Sequence, residues 1–113
     1  MKKSQDQEKR ITKSLNQIKA EARTTPGSGS MYCAKSDVVC KHFRVEAKTK
    51  VKPAKSVSVK KEWMDKIEQE AFETGKIPAL AFSFGTQTDY FVLKDRDFYS
   101  LIEELEEYRN GNR

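Results

Sequence analysis

Asp37-Val38-Val39-Cys40-Lys41-His42-Phe43-Arg44-Val45-Glu46-Ala47-Lys48 is the stretch from which the fold of this chain can be read. Two short runs rich in β-branched and aromatic residues flank Lys41-His42, the pattern of two strands joined by a tight turn. Closing the turn on those two residues sets Cys40 opposite Phe43, Val39 opposite Arg44, Val38 opposite Val45 and Asp37 opposite Glu46. Lys41-His42 lacks the Asn-Gly signature of the tightest hairpins, so the turn itself adds little to the register. In that register the β-carbons of Asp37 and Glu46 lie about 4.5–5.5 Å apart. Glu46 and Lys48 point to one face, because side chains along a strand repeat every two residues.

Two carboxylates so placed repel, and a divalent cation between them relieves the repulsion. Mg²⁺ suits such a pair, since it takes one or two carboxylates and completes its shell with water and phosphate oxygens. A lysine on the same face can orient an attacking water or help to deprotonate it while a metal offsets the charge growing on a phosphate. The plainer account is a solvent-facing strand of alternating charges, for Glu-x-Lys arises often by chance in a chain with 35% charged residues.

Upstream, Ile11, Leu15, Ile18 and Ala22 recur at helical spacing, which predicts an amphipathic helix over about residues 5–22. Glu8, one turn before Ile11, falls on the inward face of that helix, where an acid needs a cation or hydrogen bonds. The plainer reading is that Glu8 frays outward in the first turn and favours the helix dipole. Residues 24–31 include Pro26-Gly27-Ser28-Gly29-Ser30 and read as a loop whose hydroxyls and amides can donate to phosphate.

Downstream, a basic stretch from Lys50 to Lys61 leads into a helix with Ser58 as its expected N-cap and Trp63, Met64, Ile67 and Ala71 as its apolar face. Gly75 ends that helix. Pro78 to Phe84 reads as a buried strand and Tyr90 to Leu93 as another. A last helix, from about Asp97 to Tyr108, carries Phe98, Leu101, Ile102, Leu105 and Tyr108 and reads as a packing helix. The order α-β-β-α-β-β-α implies an α/β fold with a mixed sheet and flanking helices. At 113 residues the chain is expected to form a single domain over 1–113, with a frayed tail at 110–113.

Charge divides the chain. Residues 1–61 hold 16 Lys/Arg and 5 Asp/Glu, a balance of +11, whereas residues 62–113 hold 6 and 12, a balance of −6. A basic half has an electrostatic reason to meet a polyanion, because each neutralised phosphate releases condensed counterions. Ser28, Ser30, Lys35, Lys50, Lys60 and Lys61 are the candidate phosphate contacts. Cys33, Cys40 and His42 lack the spacing of a zinc site, and the two cysteines read as ordinary reduced thiols. With no signal peptide and no apolar run long enough to span a membrane, the expected compartment is the cytoplasm.

Taken in order, Glu8-Lys9-Arg10-Ile11, Pro26 to Ser30, Ser36-Asp37-Val38, Val45-Glu46-Ala47-Lys48 and Lys76-Ile77-Pro78-Ala79-Leu80-Ala81 resemble the archaeal and phage Holliday junction resolvases, a branch of the PD-(D/E)XK nucleases. The resemblance spans roughly residues 7–93. It implies a restriction-endonuclease-like core and an active site of Glu8, Asp37, Glu46 and Lys48, with Ser30 of the Gly-Ser loop assisting cleavage. It further implies Mg²⁺ or Mn²⁺ held by Asp37, Glu46, Glu8 and the Ala47 carbonyl, a homodimer acting on branched DNA, and a phage gene product. The chain departs from the archaeal members in lacking a long apolar stretch after the last strand and in its acidic final helix. Because the Glu-x-Lys core also serves nucleases and nickases acting on flaps, damaged DNA or origins, those substrates form a second reading. A non-catalytic DNA-binding protein, its carboxylates merely paired with Lys48, forms a third.

Overall fold

The computed structural model describes residues 3–25 and 37–111. In chain order these form α1 (Lys3–Gln17), β1 (Arg23–Thr24), β2 (Val38–Val39), β3 (Phe43–Thr49), α2 (Lys61–Thr74), β4 (Ile77–Ser83), β5 (Tyr90–Val92) and α3 (Asp95–Arg109). The strands make one mixed sheet in the order β1-β2-β3-β4-β5. The α/β architecture expected from the sequence is therefore present, with one strand more than the pattern revealed.

The hairpin has the register read from the sequence. Val38 pairs with Val45 and Val39 with Arg44, while the Cys40 amide donates to the Phe43 carbonyl across the turn at 2.9 Å. β3 then runs parallel to β4 from Phe43–Ile77 to Thr49–Ser83. A parallel pair needs a crossover, and α2 provides it.

Strand alternation divides the sheet into two unlike faces. Val45, Ala47, Ala79 and Ala81 point to one side, where with Val38 and Ile11 they form a buried cluster joined by Leu15. The small alanines let α1 approach the sheet closely. Glu46, Lys48 and Leu80 point to the other side, where α2 presents the buried Ile67 and Ala71. The same strand thus holds an apolar core on one face and a charged pair on the other.

Several expectations are corrected. α1 ends at Gln17, not near residue 22, because Asn16 brackets the following turn: its Nδ2 donates to the Ala22 carbonyl and its Oδ1 accepts from the Ala22 amide at 2.6 Å. Lys19 and Glu21 take positive φ in that turn, and Ile18 is left 73% exposed instead of joining the apolar stripe. The released chain forms β1, antiparallel to β2, at residues expected to begin the loop. The N-cap of α2 is Lys60, which gives no side-chain cap, in place of Ser58.

α3 is the larger departure. None of its residues is buried, and Phe98, Ile102, Leu105 and Tyr108 remain 40–55% exposed. α1 and α2 already cover the sheet over β3 and β4, and α3 does not pack extensively on it.

Glycine acts at two places. Gly75 closes α2 in the left-handed conformation, at φ 67°, as the sequence predicts. Gly85, at φ 90°, lets the 50–54 segment lie against the end of β4, where a β-carbon would stand 2.7 Å from the Lys52 carbonyl oxygen. Ala54 donates to the Phe84 carbonyl beside it at 2.8 Å. Gly85→Ala combines a strained φ with a backbone clash and is expected to cost about 1–3 kcal/mol, measurable as a lower midpoint in urea unfolding.

Candidate active site

Asp37 stands just before β2 and is buried, with its Oδ2 accepting the Ala47 amide at 2.7 Å. The hairpin register carries its side chain to Glu46, which is 6% exposed. Glu46 is held from two directions. Lys66 of α2 donates to its Oε1 at 3.0 Å, and Lys48 lies 3.5 Å from its Oε2. Glu8 approaches from α1, half-buried.

Burial and neighbouring negative charge raise the proton affinity of two of these acids, Glu8 and Glu46. Burial first, then the charges of Asp37 and Glu46, lift the Glu8 carboxyl to about 7. Burial and Asp37 also raise Glu46, against the opposing pull of Lys66 and Lys48. For Lys66, burial works against the charge, but hydrogen bonding and attraction from Glu46 and Glu70 outweigh it and hold the ammonium above its ordinary range.

Trp63, on the first turn of α2, borders the site. The Lys48 ammonium stands 4.7 Å from its ring centroid and that of Lys60 5.7 Å, distances at which the indole face attracts a cation. Lys50, Lys60 and Lys61 are all exposed, and Lys61 is joined to Asp65 by an ion pair of 2.9 Å, a surface contact too weak to hold it from a stronger anion. Ser28, Ser30, Lys35 and Cys33 lie outside the described residues. Cys40 is a buried, unbridged thiol and His42 is exposed.

The sequence reading missed the clamp that seats α1. Gln7 is fully buried; its Nε2 donates to the Lys48 carbonyl and to Asp89 Oδ1, each at 3.0 Å. Arg10 closes on both oxygens of Asp89 at 2.7 Å. Gln7 and Arg10 lie one helical turn apart, and Asp89 stands just before β5. Only the fold brings Asp89 to these two residues, which are 79 or more positions away in the chain. Lys66 was missed because its partners come from another element and from the next turn of its own helix.

Hard oxygen donors on adjacent residues match the preferences of Mg²⁺ or Mn²⁺. Glu46 and Asp37 are such donors, and burial together with the Asp37 charge raises both Glu46 and Glu8. Among the described residues, however, no three acidic, histidine or cysteine side chains converge closely enough to enclose an ion. The donor chemistry fits a divalent cation, while lysines face both carboxylate oxygens of Glu46.

No protein-family model matches the sequence, and no curated protein does. Among solved structures the chain is similar to Archaeoglobus fulgidus Hjc, a Holliday junction resolvase from an archaeal hyperthermophile. The two share a TM-score of 0.63 at 16% identity, over 76% of this chain and 72% of that one. The fold is therefore the restriction-endonuclease-like one that the motif order implied.

Raised acids carry a pH signature. Because folding lifts the Glu8 carboxyl from 4.5 to about 7, the metal-free protein loses stability as pH rises through that interval and is penalised most above it. Glu8→Gln removes the penalty. In EDTA its Tm is expected to exceed that of the unaltered chain by on the order of a few degrees at pH 8, with the gain vanishing near pH 4 in melts followed by circular dichroism.

Proposed function

We propose that this protein is a divalent-metal-dependent endonuclease that hydrolyses phosphodiester bonds in branched DNA, Holliday junctions first among them. The observation that carries the reading is the meeting of Asp37, Glu46 and Lys48 on the β2–β3 hairpin, in a fold shared with a resolvase.

Asp37 and Glu46, with the Ala47 carbonyl and Glu8, would hold Mg²⁺ or Mn²⁺. The ion supplies Lewis-acid stabilisation of the charge that builds on the phosphate. Lys48, beside Glu46, orients the attacking water and faces the same developing charge. Water oxygen bonds to phosphorus as the bridging P–O bond breaks, leaving a phosphate monoester and a hydroxyl. Glu8 positions water from the α1 side, and Asp37 keeps its place through the Ala47 amide. Ser30 assists from the Gly-Ser segment.

Lys50, Lys60 and Lys61, together with Ser28, Ser30 and Lys35, contact phosphates. The basic half of the chain gives that contact its long-range attraction. A homodimer suits the substrate, since two equivalent strands of a four-way junction require two equivalent sites. Its support here is the apolar surface of Phe91 on β5 and of Phe98, Ile102 and Leu105 on α3, all 40% exposed or more.

A second reading, a DNA-binding protein without turnover, is favoured by one observation: both Glu46 oxygens already face lysines. The two readings separate on a labelled four-way junction and a linear duplex of the same sequence, each incubated in Mg²⁺ and in EDTA. Paired nicks confined to the junction and to Mg²⁺, reduced on the order of a hundredfold or more in Glu46→Gln, are expected. Equal cutting of both DNAs would leave a nuclease of broader substrate range, such as flaps or damaged DNA. Tight binding without cleavage would leave the binding module.

A further inference from the structure

Lys66 is the one residue in this cluster for which the nuclease reading supplies no task. It lies on α2, across from the hairpin, and its ammonium is 3.0 Å from Glu46 Oε1 and 3.4 Å from Glu70 Oε2. Glu70 follows Lys66 by one helical turn, so the two side chains share a helix face whatever Glu46 does. Lys66 therefore bridges an acid of the site to an acid of its own helix.

A buried carboxylate such as Glu46 is costly without a nearby cation. Lys66 provides one, and in doing so faces an oxygen that a metal would need. This accounts for two observations together: the acids gather at the site, yet no three of them close around a point among the described residues.

We infer that Lys66 is a tethered stand-in cation, which holds Glu46 in the metal-free protein and passes to Glu70 when a divalent ion takes the carboxylate. The inference rests on the nuclease reading of the site. Lys66 is here a positioning residue: its ammonium makes room for the ion and need not touch the DNA. Glu70 sets how readily Lys66 lets go, because the short move from one carboxylate to the other keeps the ammonium paired throughout. The chain thus exchanges one cation for another at Glu46 without leaving that acid uncompensated.

The test is Mn²⁺ binding to the full chain without DNA, followed by electron paramagnetic resonance of the free ion, in four proteins: unaltered, Lys66→Met, Glu70→Gln and the double variant. Circular dichroism confirms the fold of each. Lys66→Met, which removes a positive charge from beside the ion, is expected to bind Mn²⁺ roughly tenfold more tightly, and Glu70→Gln several-fold more weakly, since Lys66 is then left to Glu46 alone. Should Lys66→Met fail to fold, Lys66→Gln takes its place, alone and combined with Glu70→Gln.

The double variant separates exchange from mere charge. If Glu70 acts through Lys66, the double variant binds as Lys66→Met does, and the two effects are strongly coupled. Additive effects would show two charges felt at a distance and would overturn the exchange. Unchanged affinity in folded Lys66→Met would overturn it as well, while leaving the nuclease reading standing. If none of the four proteins binds Mn²⁺, both the exchange and the metal-dependent reading fall together.

Discussion

The hydrogen bond from the Ala47 amide to the Asp37 carboxylate fastens the start of β2 to the middle of β3. It does so where a buried acid would otherwise be opposed by a second one across the ladder. A main-chain donor satisfies one oxygen of Asp37 without adding a mobile charge, so the carboxylate can remain buried beside Glu46. Everything around the hairpin follows from that placement. Lys48 must share the face of Glu46, α2 must cover it with side chains able to neutralise an acid, and α1 must reach it from the opposite side.

The two faces of β3 explain how so small a structure holds such a cluster steady. Val45 and Ala47 sit in the apolar core under α1, so Glu46 between them has little freedom to tilt. Gln7 reinforces this by bonding to the Lys48 carbonyl, and Asp89 ties Gln7 and Arg10 to the opposite margin of the sheet. The helix that brings Glu8 is thereby fixed by its neighbours in sequence on either side. Rigid packing below and paired charges above are the division that strand alternation makes available.

Much of this was legible in the sequence, for reasons that can be named. Closing a two-residue turn at Lys41-His42 between two apolar runs was enough to pair Asp37 with Glu46, although the turn lacks the Asn-Gly signature. Gly75 announced the end of α2 because few other residues take its conformation. What was hidden depended on partners distant in the chain. Asn16 ends α1 through Ala22 and so cuts short an apolar spacing that continues in the letters but not in space. Gln7 gives no sign of burial until β3 and β5 surround it, and Lys66 looks like one more surface lysine on a charged helix. The apolar positions of α3 announced a helix correctly, but periodicity cannot say whether the surface that covers it belongs to the same chain.

Trp63 is the sole tryptophan in the chain, and its ring lies near the ammonium groups of both Lys48 and Lys60 at the margin of the carboxylate cluster. An indole's emission responds to nearby charge and to solvent. The protein therefore carries its own optical label beside the groups on which its chemistry would depend, with no competing signal from another tryptophan. Movement of either lysine, or arrival of a polyanion at the basic segment, would be written into the intrinsic fluorescence of the unlabelled chain.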